Sequence, residues 1–278
     1  AESFQVLLAL RILNSFDVGS LGLMSARHLD LVFRAIRIAA GLRIRHNRRS
    51  AEEIEALLSD MSAHVTRAGD GNPVEGLTEK WSGDADFEAD APKENTTSMS
   101  IADADGNMIC LTQSLGSAYG AGVMIPGTGV ILNNFLNWTD LDPTSPNALQ
   151  PGQRLAMCLA PSISTRDGKG ILALGTPGSY GILQTQVQAM VGHVDFGLDV
   201  QAAIEMPRAR LWDGKQIYLE RRVPHSVCVE LSARGHHVIL LPDFSWRTGG
   251  MRAVSRDPDS GALAGAADSR RDGAAVPA

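Results

Sequence analysis

The feature that most constrains this chain is a change of hydrophobic period at residue 96. Upstream, Val6, Leu10 and Leu13, and then Leu29, Val32, Phe33, Ile36 and Ala40, recur at helical spacing. From Thr96 onward, Thr97, Met99 and Ile101 alternate with Ser98, Ser100 and Ala102. A period near 3.6 puts apolar groups on one stripe of a helix, and a period of two puts them on one face of a strand. A chain that uses both in succession must pack helices against sheets, so the expected class is a layered α/β (α+β) protein.

The local signals fill in that outline. Asp17-Val18-Gly19-Ser20 and Gly22 break the first two helices, and a third is expected from the cap Ser50, with Glu52 and Glu53 at its positive end, towards Arg67. Residues 69–95 are polar, acidic and without period, as in a linker. Asp105-Gly106-Asn107 then turns the strand at Thr96 into a second one, Met108 to Ser114. Val130 to Leu132 reads as a short strand, and Ser162–Thr165 and Ile171–Leu174 as a hairpin around Asp167-Gly168-Lys169-Gly170. The loop Gly175 to Tyr180 feeds a helix whose apolar face is Leu183, Val187, Met190, Val191 and Val194. A helix from His225 to Arg234, closed by Gly235, and a strand at Val238 to Leu241 complete the pattern. Two segments are expected, 1–95 and 96–278. The sequence opens at Ser3-Phe4-Gln5-Val6 in mid-pattern and without an initiator Met, as in a chain lacking its original N-terminus.

Composition removes several classes. Hydrophobic residues at 44% and charged residues at 20% exclude disorder, and 278 residues are enough for a sizeable core. A net charge of −6 with 5% aromatics gives phosphate backbones no footprint, so no nucleic-acid partner is expected. No run approaches the roughly 18 apolar residues of a membrane span. Cys110, Cys158 and Cys228 are scattered and form neither a CxxC pair nor a Cys/His cluster, so no metal is expected. They leave the compartment open between periplasmic or secreted and cytoplasmic.

Thr96 has a particular chemical option. If the Asn95–Thr96 bond breaks, Thr96 gains a free α-amine beside its own hydroxyl. An α-amine titrates near pH 8, about 7.7–8.0, so one residue supplies nucleophile and base together. Taken alone, a β-branched residue opening a strand is equally well explained by packing. A phosphate-binding reading of Gly175 to Gly181 fails because the loop lacks the Lys-Ser/Thr ending of a P-loop.

The run from Thr96 through Asp105-Gly106-Asn107 to Gln113-Ser114 resembles the start of the small subunit of γ-glutamyltransferases (γ-glutamyltranspeptidases). Further resemblances follow in order: Gly127-Thr128-Gly129-Val130-Ile131-Leu132-Asn133-Asn134, Ala160-Pro161-Ser162-Ile163, Gly175-Thr176-Pro177-Gly178-Ser179, Asp195-Phe196-Gly197-Leu198, Pro207-Arg208 and Gly265-Ala266-Ala267-Asp268. Upstream, Ile12-Leu13-Asn14-Ser15-Phe16-Asp17 resembles the end of the large subunit. The resemblance implies an N-terminal-nucleophile hydrolase, a four-layer α/β/β/α sandwich matured by autoproteolysis between Asn95 and Thr96, here without its upstream large-subunit segment. That missing segment of the same precursor is the expected partner, and a small-molecule amide the expected substrate. No cofactor is implied, because the threonine amine does the acid–base work. Ser114 falls where the family has a second threonine that orients the nucleophile. Gly178 and Ser179 fall where paired glycines hold the oxyanion.

The substrate positions depart from the family. Polar residues that hold the glutamyl α-amino and α-carboxyl groups are replaced by Gly116, Phe135, Trp138, Met157 and Cys158, with Asn137 beside Trp138. Burying those charges against Phe, Trp and Met without partners costs several kcal/mol, roughly 2–7 per polar group. The expectation is therefore a self-processing threonine amidohydrolase or acyltransferase acting on a small or apolar acyl donor. The alternatives are a genuine γ-glutamyltransferase or glutathione hydrolase, and a non-catalytic paralogue or fragment that only binds.

Overall fold

The computed structural model describes residues 2–46, 50–72, 96–145, 147–153, 155–212 and 215–277. Asn95 and most of the expected linker lie outside the described residues.

Helix α1 (Phe4–Leu13) leads through a short 3₁₀ turn into α2 (Ala26–Arg45). Ser25 caps α2 by accepting from the His28 N–H at 3.1 Å. This 20-residue helix is buried nearly all round, and the charged residues Asp30, Arg34, Arg37 and Arg43 are buried with it. They are buried in partnership: Arg34 bonds Asp30 at 2.8 Å, and Arg43 reaches Gln5 at 2.8 Å and Glu2 at 2.5 Å. The expected third helix is two helices, α3 (Ala51–Ser59) and α4 (Ser62–Gly69). Asp60 is extended between them, and its carboxylate accepts from both the N–H and the hydroxyl of Ser62. That local side-chain bonding competes with the helix and ends it. The Ser50 cap is present as a full capping box with Glu53.

Strands β1 (Thr96–Ala102) and β2 (Met108–Ser114) form an antiparallel hairpin, with Thr96 opposite Ser114 and Ser98 opposite Thr112. Val130 to Leu132 is not a strand. Only a single bridge joins Ile131 to Met124, because Gly127 and Gly129 turn the chain within a few residues. Then come β3 (Ser162–Arg166), β4 (Lys169–Gly175), α5 (Ile182–Val194), α6 (Val200–Glu205), β5 (Ala209–Leu211) and β6 (Gln216–Glu220). Helix α7 (His225–Ala233), β7 (His237–Leu241), β8 (Arg252–Arg256) and β9 (Leu263–Ala267) close the chain. A four-stranded antiparallel sheet has the order β3-β4-β8-β9, and a three-stranded sheet has the order β5-β6-β7 with β6 and β7 parallel.

Alternation along β4 sets the layers. Leu172 and Leu174 join the helix-covered core with Ala253 and Ala266, while Ala173 and Gly175 occupy the opposite face, on which the β1–β2 hairpin lies. The hairpin meets that face through small polar groups, Ser98, Ser100, Cys110 and Thr112. The order of layers is hairpin, sheet, helices. No helix among the described residues is long and apolar enough to cross a membrane.

Candidate active site

The site begins at the first residue of β1. The Thr96 hydroxyl donates to Ser114 Oγ at 3.0 Å, its cross-strand partner, and the Gly116 N–H donates to the same oxygen at 3.0 Å. Ser114 therefore fixes the direction of the Thr96 hydroxyl hydrogen and leaves lone pairs of Thr96 Oγ1 open. Gly116 is held in turn by Asn134. A Cβ at Gly116, where φ is +91°, would fall 2.2 Å from Asn134 Oδ1, which already accepts from the Ser117 N–H at 3.0 Å. Only glycine fits there. Asn134 is the second residue of the Asn-Asn pair and carries no role in the sequence pattern alone. Its signal was that pair, and its role is to clamp the turn after β2.

The register of hairpin on sheet carries Thr96 to the end of β4. A Cβ on Gly170 would meet Met108, whereas one on Gly175 would lie 2.5 Å from Ser98 Oγ and 3.3 Å from Thr112 Oγ1. Running from Gly170 to Gly175 thus follows β1 backwards, from Ala102 to Ser98. Two residues further, at about 3.3 Å per residue, Thr96 and Ser114 stand at the level of the loop after Gly175.

That loop ends β4 and starts α5. Gly178 has φ +132° and Ser179 φ +52°, so the backbone turns through conformations that L-residues rarely adopt. Neither the Gly178 nor the Ser179 N–H has a hydrogen-bond partner among the described residues. Both sit at the start of a 3₁₀ turn, Ser179–Gly181, that runs into α5, where helix N–H groups lack internal acceptors and the dipole favours negative charge. Helix α5 is pinned by side chains that look like its polar face. Gln184 bonds Leu211 N and O, and Gln188 bonds Ala209 N and O, so glutamines supply the missing neighbour along the edge of β5.

Next to the loop stands a row of rings. Phe135 meets Trp138 edge-on at 5.1 Å between centroids, and Trp138 lies 5.6 Å from Tyr180, the residue after Ser179. Arg43 caps the row, 4.5 Å over the Tyr180 ring. The Glu2 N–H bonds the Met157 carbonyl at 2.9 Å, which ties Met157 to the same helical corner. Of the expected substrate residues, Phe135 and Trp138 form this row, and Met157 is tied by its backbone to Glu2, the partner of Arg43. Asn137 is exposed, and Cys158 has no exposed surface and packs in the core. Tyr180 and Arg43 belong to this group although the sequence did not single them out. The structure describes nothing of Asn95. Among the described residues no cluster of three or more His, Cys, Asp or Glu side chains could hold a metal.

Comparison with known proteins gives consistent matches. The family model described as gamma-glutamyltranspeptidase matches residues 2–278. The acylase ACY 1 proenzyme of Pseudomonas sp. (strain SE83) is 34% identical over 273 residues, 96% of this chain and 46% of the relative. The glutathione hydrolase proenzyme of Bacillus subtilis (strain 168) is 34% identical over 188 residues, 67% of this chain and 31% of the relative. Among solved structures, cephalosporin acylase from Bacillus halodurans superposes with a TM-score of 0.79 at 26% identity, covering 98% of this chain and 48% of that one. A gamma-glutamyltranspeptidase from Pseudomonas nitroreducens, complexed with L-DON, superposes at 0.58 with 30% identity, covering 66% of this chain and 99% of that one. The chain spans about half the length, or less, of the curated relatives it matches.

Proposed function

The chain belongs to the gamma-glutamyltranspeptidase family of N-terminal-nucleophile hydrolases, and from that premise we propose that it is the nucleophile-bearing part of a self-processing amidohydrolase. Thr96 is the nucleophile, the bond before it is cleaved in maturation, and the donor is an amide with an apolar acyl group. The observation that carries the reading is the 3.0 Å hydrogen bond from the Thr96 hydroxyl to Ser114, at the strand end that the hairpin's register on β4 carries towards the loop of two unengaged N–H groups. The share of this chain covered by the gamma-glutamyltranspeptidase chain, 66%, is of the size that residues 96–278 make up, which supports a subunit boundary at Thr96. The proenzyme names of the relatives support processing.

In the proposed reaction the free Thr96 amine takes the proton of its own hydroxyl as Oγ1 attacks the amide carbon. The carbonyl oxygen becomes an oxyanion that accepts from the Gly178 and Ser179 N–H groups, donors worth about 3 kcal/mol each in such sites. Collapse passes the amine's proton to the leaving nitrogen and leaves an ester on Thr96. Water, or an acceptor amine in the transfer variant, then releases the acyl group by the reverse sequence. The preference for an apolar acyl group rests on the Phe135–Trp138–Tyr180 row and on matches to proteins named acylase that extend over nearly the whole chain. A second reading, γ-glutamyl transfer or glutathione hydrolysis, draws on the 34% identity to the glutathione hydrolase proenzyme.

The longer gene product, with its upstream region, tests both parts. Intact mass should show cleavage before Thr96 in the parent and a single uncut chain in Thr96→Ala. Three p-nitroanilides then separate the donors: γ-glutamyl, butyryl (the same carbon chain without amino and carboxyl groups) and phenylacetyl. Faster turnover of the last two is expected. An uncut parent would overturn the mechanism, and a marked preference for γ-glutamyl would favour the second reading.

A further inference from the structure

The oxyanion turn is held from behind by a threonine that the reaction itself does not use. Thr176 is fully buried between β4 and Pro177. Its hydroxyl oxygen accepts the Gly250 N–H at 3.1 Å and donates its own hydrogen to the Pro177 carbonyl at 2.8 Å. The first bond dictates the second, since a hydroxyl that receives a hydrogen on one side must point its own elsewhere.

The Pro177 carbonyl and the Gly178 N–H belong to one peptide unit. In a trans peptide they point in opposite directions within a rigid plane. Holding the carbonyl on the Thr176 side therefore aims the Gly178 N–H away from it, and a hydrogen bond at the carbonyl end strengthens the donor at the other. Resting on the reading of Gly178 and Ser179 as oxyanion donors, we infer that Thr176 is a positioning residue for catalysis, which sets the angle of the Gly178 N–H through the Pro177 carbonyl.

The partner turn of this lock, which carries Gly250, is itself immobilised. Glu220 accepts from the Ser245 N–H at 2.9 Å and the Thr248 hydroxyl at 3.0 Å, and Asp268 accepts from the Met251 N–H at 3.0 Å. These carboxylates are fully or almost fully buried, and they are neutralised by Arg270 and Arg208, so both ends of the turn 245–251 are pinned to a paired charge cluster. Between those pins lie Gly249 and Gly250. A Cβ on Gly249, at φ +94°, would fall 2.7 Å from Thr176 Oγ1, and a Cβ on Gly178 would fall 3.5 Å from the Gly249 Cα. The two turns touch backbone to backbone, with the threonine hydroxyl as the polar link between them.

The test compares Thr176→Val, which keeps the shape and loses the hydroxyl, with Thr176→Ser, which keeps the hydroxyl. Both are made in the longer gene product, and kcat is expressed per processed molecule counted by intact mass, with the three p-nitroanilides as probes. T176V should lower kcat by roughly 10- to 100-fold at nearly constant KM, below the 10²–10³ typical of deleting a donor outright. T176S should recover most of that loss. A structural role alone would lower Tm and yield in T176V and leave kcat per processed molecule unchanged, and that result overturns the assignment. So does equal loss in T176S. If the parent turns over none of the probes and stays uncut, the reading of the site falls and takes this assignment with it; a processed, active parent with an active T176V removes the assignment alone.

Discussion

At the scale of single residues, the site combines strain with satisfied geometry. Ser179 holds φ +52° where glycine would hold it freely, a cost on the order of 1 kcal/mol. Replacing it by glycine, S179G, relieves that strain while keeping the N–H, so the expected result is a higher Tm by a few degrees, read by calorimetry. An unchanged or lower Tm would show that the Ser179 side chain offsets its own strain by packing, since it is buried. Ser114 is the complementary case. It accepts from both Thr96 and Gly116, so S114A frees the Thr96 hydroxyl to rotate and should slow cleavage before Thr96 by about 100-fold, followed by intact mass over time. The types of these residues were legible in the sequence as a hydroxyl and a glycine-rich turn. Their partnership was expected only through the family resemblance, because the residues alone do not fix the register that sets Thr96 opposite Ser114.

At the scale of elements, Gly175 decides how closely the hairpin approaches the sheet. G175A places a Cβ 2.5 Å from Ser98 Oγ and 3.0 Å from Cys110 Sγ, which forces the layers apart close to Thr96. The expected cost is about 1–3 kcal/mol in a denaturant titration, accompanied by slower processing. Retained stability would mean that the hairpin shifts without strain. Helix α2 makes a different prediction. His28 is buried, accepts the Met24 N–H at Nδ1 and packs edge-on against Phe196, and burial pushes its pKa down to about 4. Its neutral form is what the fold holds, so its contribution is complete above the unfolded value near 6.5 and is lost as pH falls towards 4. The limit is roughly 3 kcal/mol. His236 is lowered too, first by burial, and titrates in the same sense, while its Nε2 donates to Asp30. Stability measured by denaturant should fall between pH 6.5 and 4, and H28Q should flatten that fall. A parent whose stability is flat across this window would contradict the assignment.

Elements with clean periods or clear end signals, α1, α2, β1, β2, β3, β4, α5, α7 and β7, were readable, and α6, β5, β6, β8 and β9 were not. Strands β5, β8 and β9 are three to five residues long, and alternation over so few residues registers only beside a recognised turn, as for β3 next to Asp167-Gly168. Asp30, Arg34, Arg37 and Arg43 carry charge on α2 and are nevertheless buried. Gln184 and Gln188 on α5 likewise bond the edge of β5. Apart from the i,i+4 pair Asp30–Arg34, these partners lie far along the chain, Arg37 beside His236 for example, and no local pattern announces them.

At the scale of the whole molecule, the hairpin is inverted relative to an ordinary surface hairpin. Its small polar residues face the sheet, and Met99, Ile101, Ile109 and Leu111 on the other face are 44–59% exposed. Leu132, Val123, Met124 and Val130 add exposed apolar surface in the loop after β2. A contiguous apolar face on a two-stranded unit is costly in water and offers other chains a surface to bind. The 278-residue chain by itself should therefore self-associate and bind a hydrophobic dye such as ANS. Ile101→Lys with Leu111→Lys, set on the outward face two cross-strand positions apart, should return it towards a monomer in light scattering. The polar inner face is untouched by these changes, so the hairpin register and the Thr96–Ser114 bond should survive them. The same pair made in the longer gene product discriminates further. If upstream chain covers this face, the lysines should impair processing there while improving solubility here. Improved solubility in both, with normal processing, would mean that the face stays open to solvent in the full protein.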